Sequence, residues 1–179
     1  MNTHLVFLRA VNVGGTPLAM GDLRAWLENL GFAEVRTLLQ SGNVVMRGKP
    51  AGDAKLEAML ERAAAKQLAL ETDFFVRAPA EWREVITRNP FPKETAADPA
   101  HVVVYLLKEP PTAPQVRALQ AAIAGRERVA ADGRHLYAVY PDGIGRSRLT
   151  LGVIEKHLGT HGTGRNWNTV GKMAALAAE

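Results

Sequence analysis

The chain reads as an α+β protein built from two ferredoxin-like (α-β plait) halves with antiparallel sheets. Three observations predict this. Apolar stripes follow the order strand, helix, strand, strand, helix, strand over residues 1–78. Most of that order returns after a proline-rich interruption. Glycine-bearing turns sit where each hairpin should close, which makes the sheets antiparallel.

Leu5 to Leu8 reads as the first strand and runs into Asn12-Val13-Gly14-Gly15. Leu23, Trp26, Leu27 and Leu30 then recur at the spacing of one helix face, which Gly31 ends. Val35–Leu39 and Val44–Met46 are strands joined across Ser41-Gly42. A second helical stripe follows through Leu56, Met59, Leu60 and Ala63, then a strand at Phe74–Val76. Residues 79–100 are expected to hold a connecting helix opened by Pro79, with Trp82, Val85 and Ile86 on its buried side. A linker should then run from Asn89-Pro90-Phe91-Pro92 to Pro99.

The second half, residues 101–179, begins with His101–Leu107, a strand apolar on both faces that needs cover on each side. Pro114 opens a helix, and Asp132-Gly133 turns a hairpin between Glu127 and Tyr140. Val153, Ile154 and Leu158 lie on a helix closed by Gly159, and a last helix follows Asn166 or Asn168. The final strand of this half is expected to be weak or very short. Two related halves are the simplest account, although no repeat shows in the letters.

Composition narrows the function. The 179 residues are 47% hydrophobic and contain no cysteine, so the chain can bury a core but has no disulfide, thiolate metal site or thiol nucleophile. Met1-Asn2-Thr3-His4-Leu5 is unlike a secretory leader, and no stretch approaches the roughly 18–20 apolar residues of a membrane span. A cytoplasmic protein that does not enter a membrane is expected. The net charge is +4, and Arg134–Lys172 carries six Lys/Arg against Asp142 and Glu155, matching the whole surplus. A local basic excess of that kind suits an anionic partner.

Four polar stretches stand out, each with a plain structural reading beside the functional one. Arg9 to Gly15, including Asn12, Gly14 and Gly15, can offer backbone N–H groups to an anion, or simply make a tight turn. Gln40-Ser41-Gly42-Asn43 can present amides and a hydroxyl, or serve as hairpin chemistry. Gly145-Arg146-Ser147, within Tyr140–Ser147, offers backbone donors and a guanidinium before a helix that Ser147 is also suited to cap. Arg165-Asn166, within Thr163–Thr169, repeats the theme at a helix start, with Trp167 expected as a core anchor. His157 and His161 are separated by the helix-ending Gly159, so no metal is expected, and no motif calls for a cofactor.

Together with Asn89-Pro90-Phe91, these stretches resemble a bacterial family known as domain of unknown function 1697. The resemblance spans essentially the whole chain and implies paired α-β plait units, with no established activity and no catalytic residues. Ala10 stands where the family usually has glycine, and Gly164 where it tends to have threonine.

Three functions are compatible with this pattern. The favoured one is a non-enzymatic binding module for a phosphate-bearing small molecule, a nucleotide or nucleic acid. Arg9, Arg146 and Arg165 would supply charge, while Asn12, Asn43, Ser147 and Asn166 orient the ligand. An enzyme using the same arginines has Asp142 as the only carboxylate within the motifs to act as a base. A self-associating protein, such as a homodimer, would instead cover the doubly apolar strand His101–Leu107. Reading RNA through stacked aromatics would require Tyr105 and Tyr137 to share an open sheet face.

Overall fold

The computed structural model describes residues 1–9 and 17–179. The chain divides into two units, one formed by Met1–Glu84 with Met173–Glu179 and the other by Val85–Lys172.

In the first unit, strands β1 (Asn2–Leu8), β2 (Ala33–Leu38), β3 (Asn43–Gly48) and β4 (Phe74–Arg77) form an antiparallel sheet in the order β2-β3-β1-β4. Helices α1 (Met20–Asn29) and α2 (Asp53–Gln67) connect them in ferredoxin-like order. Alternation along the strands sends Val6, Leu8, Val44, Met46, Phe74 and Val76 into one core with Leu23 and Leu27 of α1 and Leu56 and Leu60 of α2. Gly31, at φ +101, lets the chain leave α1 in a conformation that L side chains rarely adopt. Leu5, Phe7, Val45 and Phe75, on the opposite sheet face, are also buried. There the Phe7 ring lies 4.8 Å from that of Trp82 in α3 (Pro79–Thr87).

The expected linker is instead partly helical, with α4 at Pro92–Ala97 and a 3-10 turn at Pro99–His101. Asn89 braces the approach to this helix: its amide donates to Thr95 Oγ1 at 2.8 Å and its Oδ1 accepts from Phe91 N at 2.9 Å, although the N-cap Phe91 itself carries no side-chain cap.

The second unit repeats the plan. Strands β5 (Val102–Leu107), β6 (Arg128–Asp132), β7 (His135–Val139) and β8 (Gly162–Asn166) form a sheet in the order β6-β7-β5-β8. The connecting helices are α5 (Ala113–Ala122) and α6 (Leu151–Leu158), and α7 (Trp167–Ala178) follows β8 as α3 follows β4. β8 is the strand the sequence reading expected to be weak or very short. It pairs over five residues with β5, and that pairing outweighs the poor strand propensity of its two glycines. Gly159 ends α6 at φ +64, as its position suggests.

The repeat is written in the hydrogen-bond register. Leu5 stands opposite Val45 and Arg77, and Val104 stands opposite Tyr137 and Arg165. Leu8 N donates to Gly42 O and Leu107 N to Arg134 O; Arg9 N donates to Asp73 O and Lys108 N to His161 O. Arg77 and Arg165 are therefore equivalent and both buried, and each donates from Nη1 to the carbonyl of its preceding residue, Val76 at 2.8 Å and Gly164 at 2.9 Å. The two units differ most in two connections. The first spans 9–19 between β1 and α1 where the second spans only 108–112, and the second spans 140–150 between β7 and α6 where the first spans only 49–52. Each long connection carries one of the polar stretches.

Candidate functional site

At one end of the first sheet the register joins two of the polar stretches. Phe7 pairs with Asn43, Leu8 N donates to Gly42 O at 2.9 Å, and Arg9 N donates to Asp73 O at 3.1 Å. Gly42 has φ +79, and a Cβ there would come within 2.9 Å of Leu8 Cβ, so both conformation and space require glycine. Arg9 Nη1 lies 3.8 Å from Asp73 Oδ2, a partly exposed pair too long for a direct hydrogen bond. Asn43 is fully buried, and its Nδ2 donates to Leu38 O and to Ser41 Oγ, both at 2.9 Å. Those bonds close the hairpin. Gln40 is exposed, as is Leu39, which is held at φ +60. Asn12, Gly14 and Gly15 lie outside the described residues.

In the second unit, strand register gathers the other stretches at one sheet end. Val102 pairs with Val139, Val103 pairs with Asn166, and Tyr140 N donates to His101 O at 2.8 Å. The 140–150 loop and the start of α7 thus leave from the same end of the sheet. Several side chains fix the loop. Tyr140 hydroxyl donates to Leu149 O at 2.9 Å and lies 2.6 Å from the Tyr105 hydroxyl. Ser147 Oγ donates to Glu127 Oε1 at 2.7 Å and accepts from Leu149 N at 3.0 Å. Arg126 grips Asp142 through Nε at 3.1 Å and through Nη2. The hydrogen bond from Arg126, more than its charge alone, holds the Asp142 carboxyl below the usual range. Burial pushes both Tyr105 and Tyr140 up, so the pair stays protonated.

Ser147 does not cap the following helix. The cap of α6 is Thr150, whose Oγ1 accepts from Val153 N at 3.3 Å, because the helix begins later than the Gly-Arg-Ser stretch suggests. Gly145 and Arg146 are exposed, and among the described residues no carboxylate holds Arg146. Arg148, not singled out in the sequence, is exposed beside them.

Arg165 directly precedes the Asn166 cap of α7, but it is a strand residue. It lies in β8 with 7% of its surface exposed, and its Nη1 donates to Thr163 Oγ1 at 2.8 Å as well as to Gly164 O. Desolvation lowers its pKa to about 10, which leaves it charged at neutral pH. Asn166 caps α7, its Oδ1 accepting from Thr169 N at 3.0 Å. Trp167 is only half-buried, and Val170 and Met173 are the anchors instead. Tyr105 and Tyr137 are on opposite faces, since Val104 is the partner of Tyr137 and Leu136 that of Tyr105. Tyr137 donates its hydroxyl to Val85 O at 2.6 Å, so these rings are core residues and not a stacking platform.

Arg9, Gln40, Ser41 and Asn43 are thus gathered in the first unit, and Gly145, Arg146, Ser147 and Asn166 in the second. The sequence reading missed Asp73, Arg126, Glu127 and Arg148. Their role depends on which loop faces them across the fold, and no local spacing reports that.

These features define an α+β protein of two ferredoxin-like units with polar groups, among the described residues, at sheet ends. The chain belongs to the family described as protein of unknown function (DUF1697), whose model matches residues 1–137. No curated protein matches it. Among solved structures it is similar to the conserved bacterial protein SP0830 from Streptococcus pneumoniae. The two are 20% identical with a TM-score of 0.79, over 100% of this chain and 99% of that one. At that identity the likeness speaks for the fold alone. Among the described residues no helix is long and apolar enough to cross a membrane.

Proposed function

We propose that this protein is a non-enzymatic binding module for a phosphate-bearing ligand, with the 140–150 loop of the second unit as its reader. The observation that carries this reading is the state of the charges around the loop. Asp142 is held by Arg126 and Glu127 accepts from Ser147, whereas Arg146 and Arg148 remain exposed. Arg126 takes up the charge of Asp142, and among the described residues no carboxylate pairs with Arg146, whose guanidinium suits a phosphate. A catalytic role is less well supported. Asp142, the only carboxylate within the motifs, is kept ionised and engaged by its arginine, a poor arrangement for a general base.

Arg9 with Gln40 and Ser41 forms a second polar group at the end of the first sheet, and Asp73 already occupies part of its charge. It is the weaker candidate. Calorimetric titration of the full chain with inorganic pyrophosphate tests the proposal. Binding that weakens as salt rises and falls about tenfold in Arg146→Ala supports it, a loss equal to about 1.4 kcal/mol. No binding at millimolar pyrophosphate in low salt overturns it.

A further inference from the structure

We propose, resting on the phosphate-binding reading above, that the ligand of the 140–150 loop is a nucleoside phosphate, with Ile144 packing against the base while Arg146 holds the phosphate. Two independent observations support this: the apolar exposure at the loop tip and the rigidity of the loop base.

Among the described residues the exposed large hydrophobics are Met1, Leu39 and Ile144. Ile144 is 50% exposed and sits two residues from the exposed Arg146. Beside the exposed guanidinium, this branched alkyl group offers apolar contact area that a bare phosphate leaves unused. A ligand that joins an apolar ring face to an anion uses both side chains.

The tip is also pre-organised. Tyr140 hydroxyl to Leu149 O ties the first residue of the loop to one near its end, and this bond is buried beside Tyr105. Gly143 N donates to Tyr140 O at 3.0 Å and Ser147 N to Ile144 O at 3.2 Å, so two successive turns shape the tip. Glu127 and Arg126 then fix Ser147 and Asp142 from outside the loop. A loop tied at this many points has little freedom left to lose when a ligand binds, so its contacts appear largely as affinity. Tyr140 is accordingly a positioning residue, and it does not touch the ligand.

The test compares adenosine monophosphate with inorganic phosphate by calorimetry on the full chain, with Ile144→Ala, Arg146→Ala and Tyr140→Phe alongside the natural sequence. Unfolding curves check that each variant is folded. The expected result is that Ile144→Ala weakens the nucleotide about fivefold and leaves phosphate unchanged, while Arg146→Ala weakens both. Tyr140→Phe should weaken the nucleotide at unchanged stoichiometry. If Ile144→Ala has no effect on the nucleotide while Arg146→Ala weakens both ligands, this inference fails and the phosphate reading stands. An Arg146→Ala variant that binds both as tightly as the natural protein overturns the phosphate reading, and this inference with it. Binding of phosphate but not of the nucleotide overturns the inference alone.

Discussion

Replacing Gly164 by alanine tests the packing of the second unit at its tightest point. Gly164 lies opposite Tyr105 across the β5–β8 pair. A Cβ there would meet Tyr105 Cε1 at 2.7 Å, Tyr105 Cδ1 at 3.0 Å and Val103 Cγ1 at 3.1 Å. The ring cannot swing aside freely, because its hydroxyl is bonded to Tyr140 at 2.6 Å in a buried site. Overpacking of this kind costs about 1–3 kcal/mol, and a weakened buried hydrogen bond adds about 1 kcal/mol. Alanine lowers the entropy of the unfolded chain, which returns about 0.4–1 kcal/mol. The net expectation is a loss of about 1–3 kcal/mol in urea unfolding. In a cycle with Tyr105→Leu, the alanine should cost less once the ring is gone. An alanine variant as stable as the natural protein, or an equal cost in both backgrounds, would refute the packing account.

Other predictions concern buried charge, a helix end and pH. Arg77 is fully buried, with Nη1 3.5 Å from Glu57 and Nε 3.7 Å from Glu81. Arg77→Met leaves the Glu57 carboxylate buried without its cation and should cost about 3–5 kcal/mol by chemical denaturation, most of it recovered by adding Glu57→Leu. Gly159→Ala forces a side chain into φ +64 and should lose about 1–2 kcal/mol by the same measurement. All three tyrosines of the chain are pushed up from their ordinary value. For Tyr137, burial first and Asp132 second raise the pKa to about 12. A folded value above the unfolded one means its contribution is complete below pH ~10 and is lost as pH rises toward about 12. Tyrosinate absorbance should therefore stay flat through pH ~10 and rise together with unfolding. A full tyrosine titration near pH ~10 in folded protein would contradict the burial of all three rings.

Much of the architecture was legible because it follows from local physics. The α1 and α2 stripes, the Ser41-Gly42 and Asp132-Gly133 turns and the Gly159 stop all act within a few residues of themselves. What escaped depends on partners distant in sequence. Gly162-Thr163-Gly164-Arg165-Asn166 becomes a strand because β5 offers it a ladder, and Arg165 is consequently buried in the sheet just before α7 begins. The repeat escaped because it survives in hydrogen bonds more than in letters, with Thr72 and Thr160, Arg77 and Arg165, and Leu8 and Leu107 among the identities between equivalent positions. At the candidate site, Arg146 and Ser147 were visible as unusual chemistry. The engagement of Ser147 by Glu127, and of Asp142 by Arg126, depends on the hairpin crossing beside the loop.

Amide chemical-shift mapping of the full chain during titration with pyrophosphate tests the phosphate-reading role of the second unit most directly. The account predicts saturable shifts concentrated on Gly143–Arg148 and on Asn166–Thr169 at the neighbouring start of α7. Shifts confined to other surfaces, or none at saturating ligand, would contradict it.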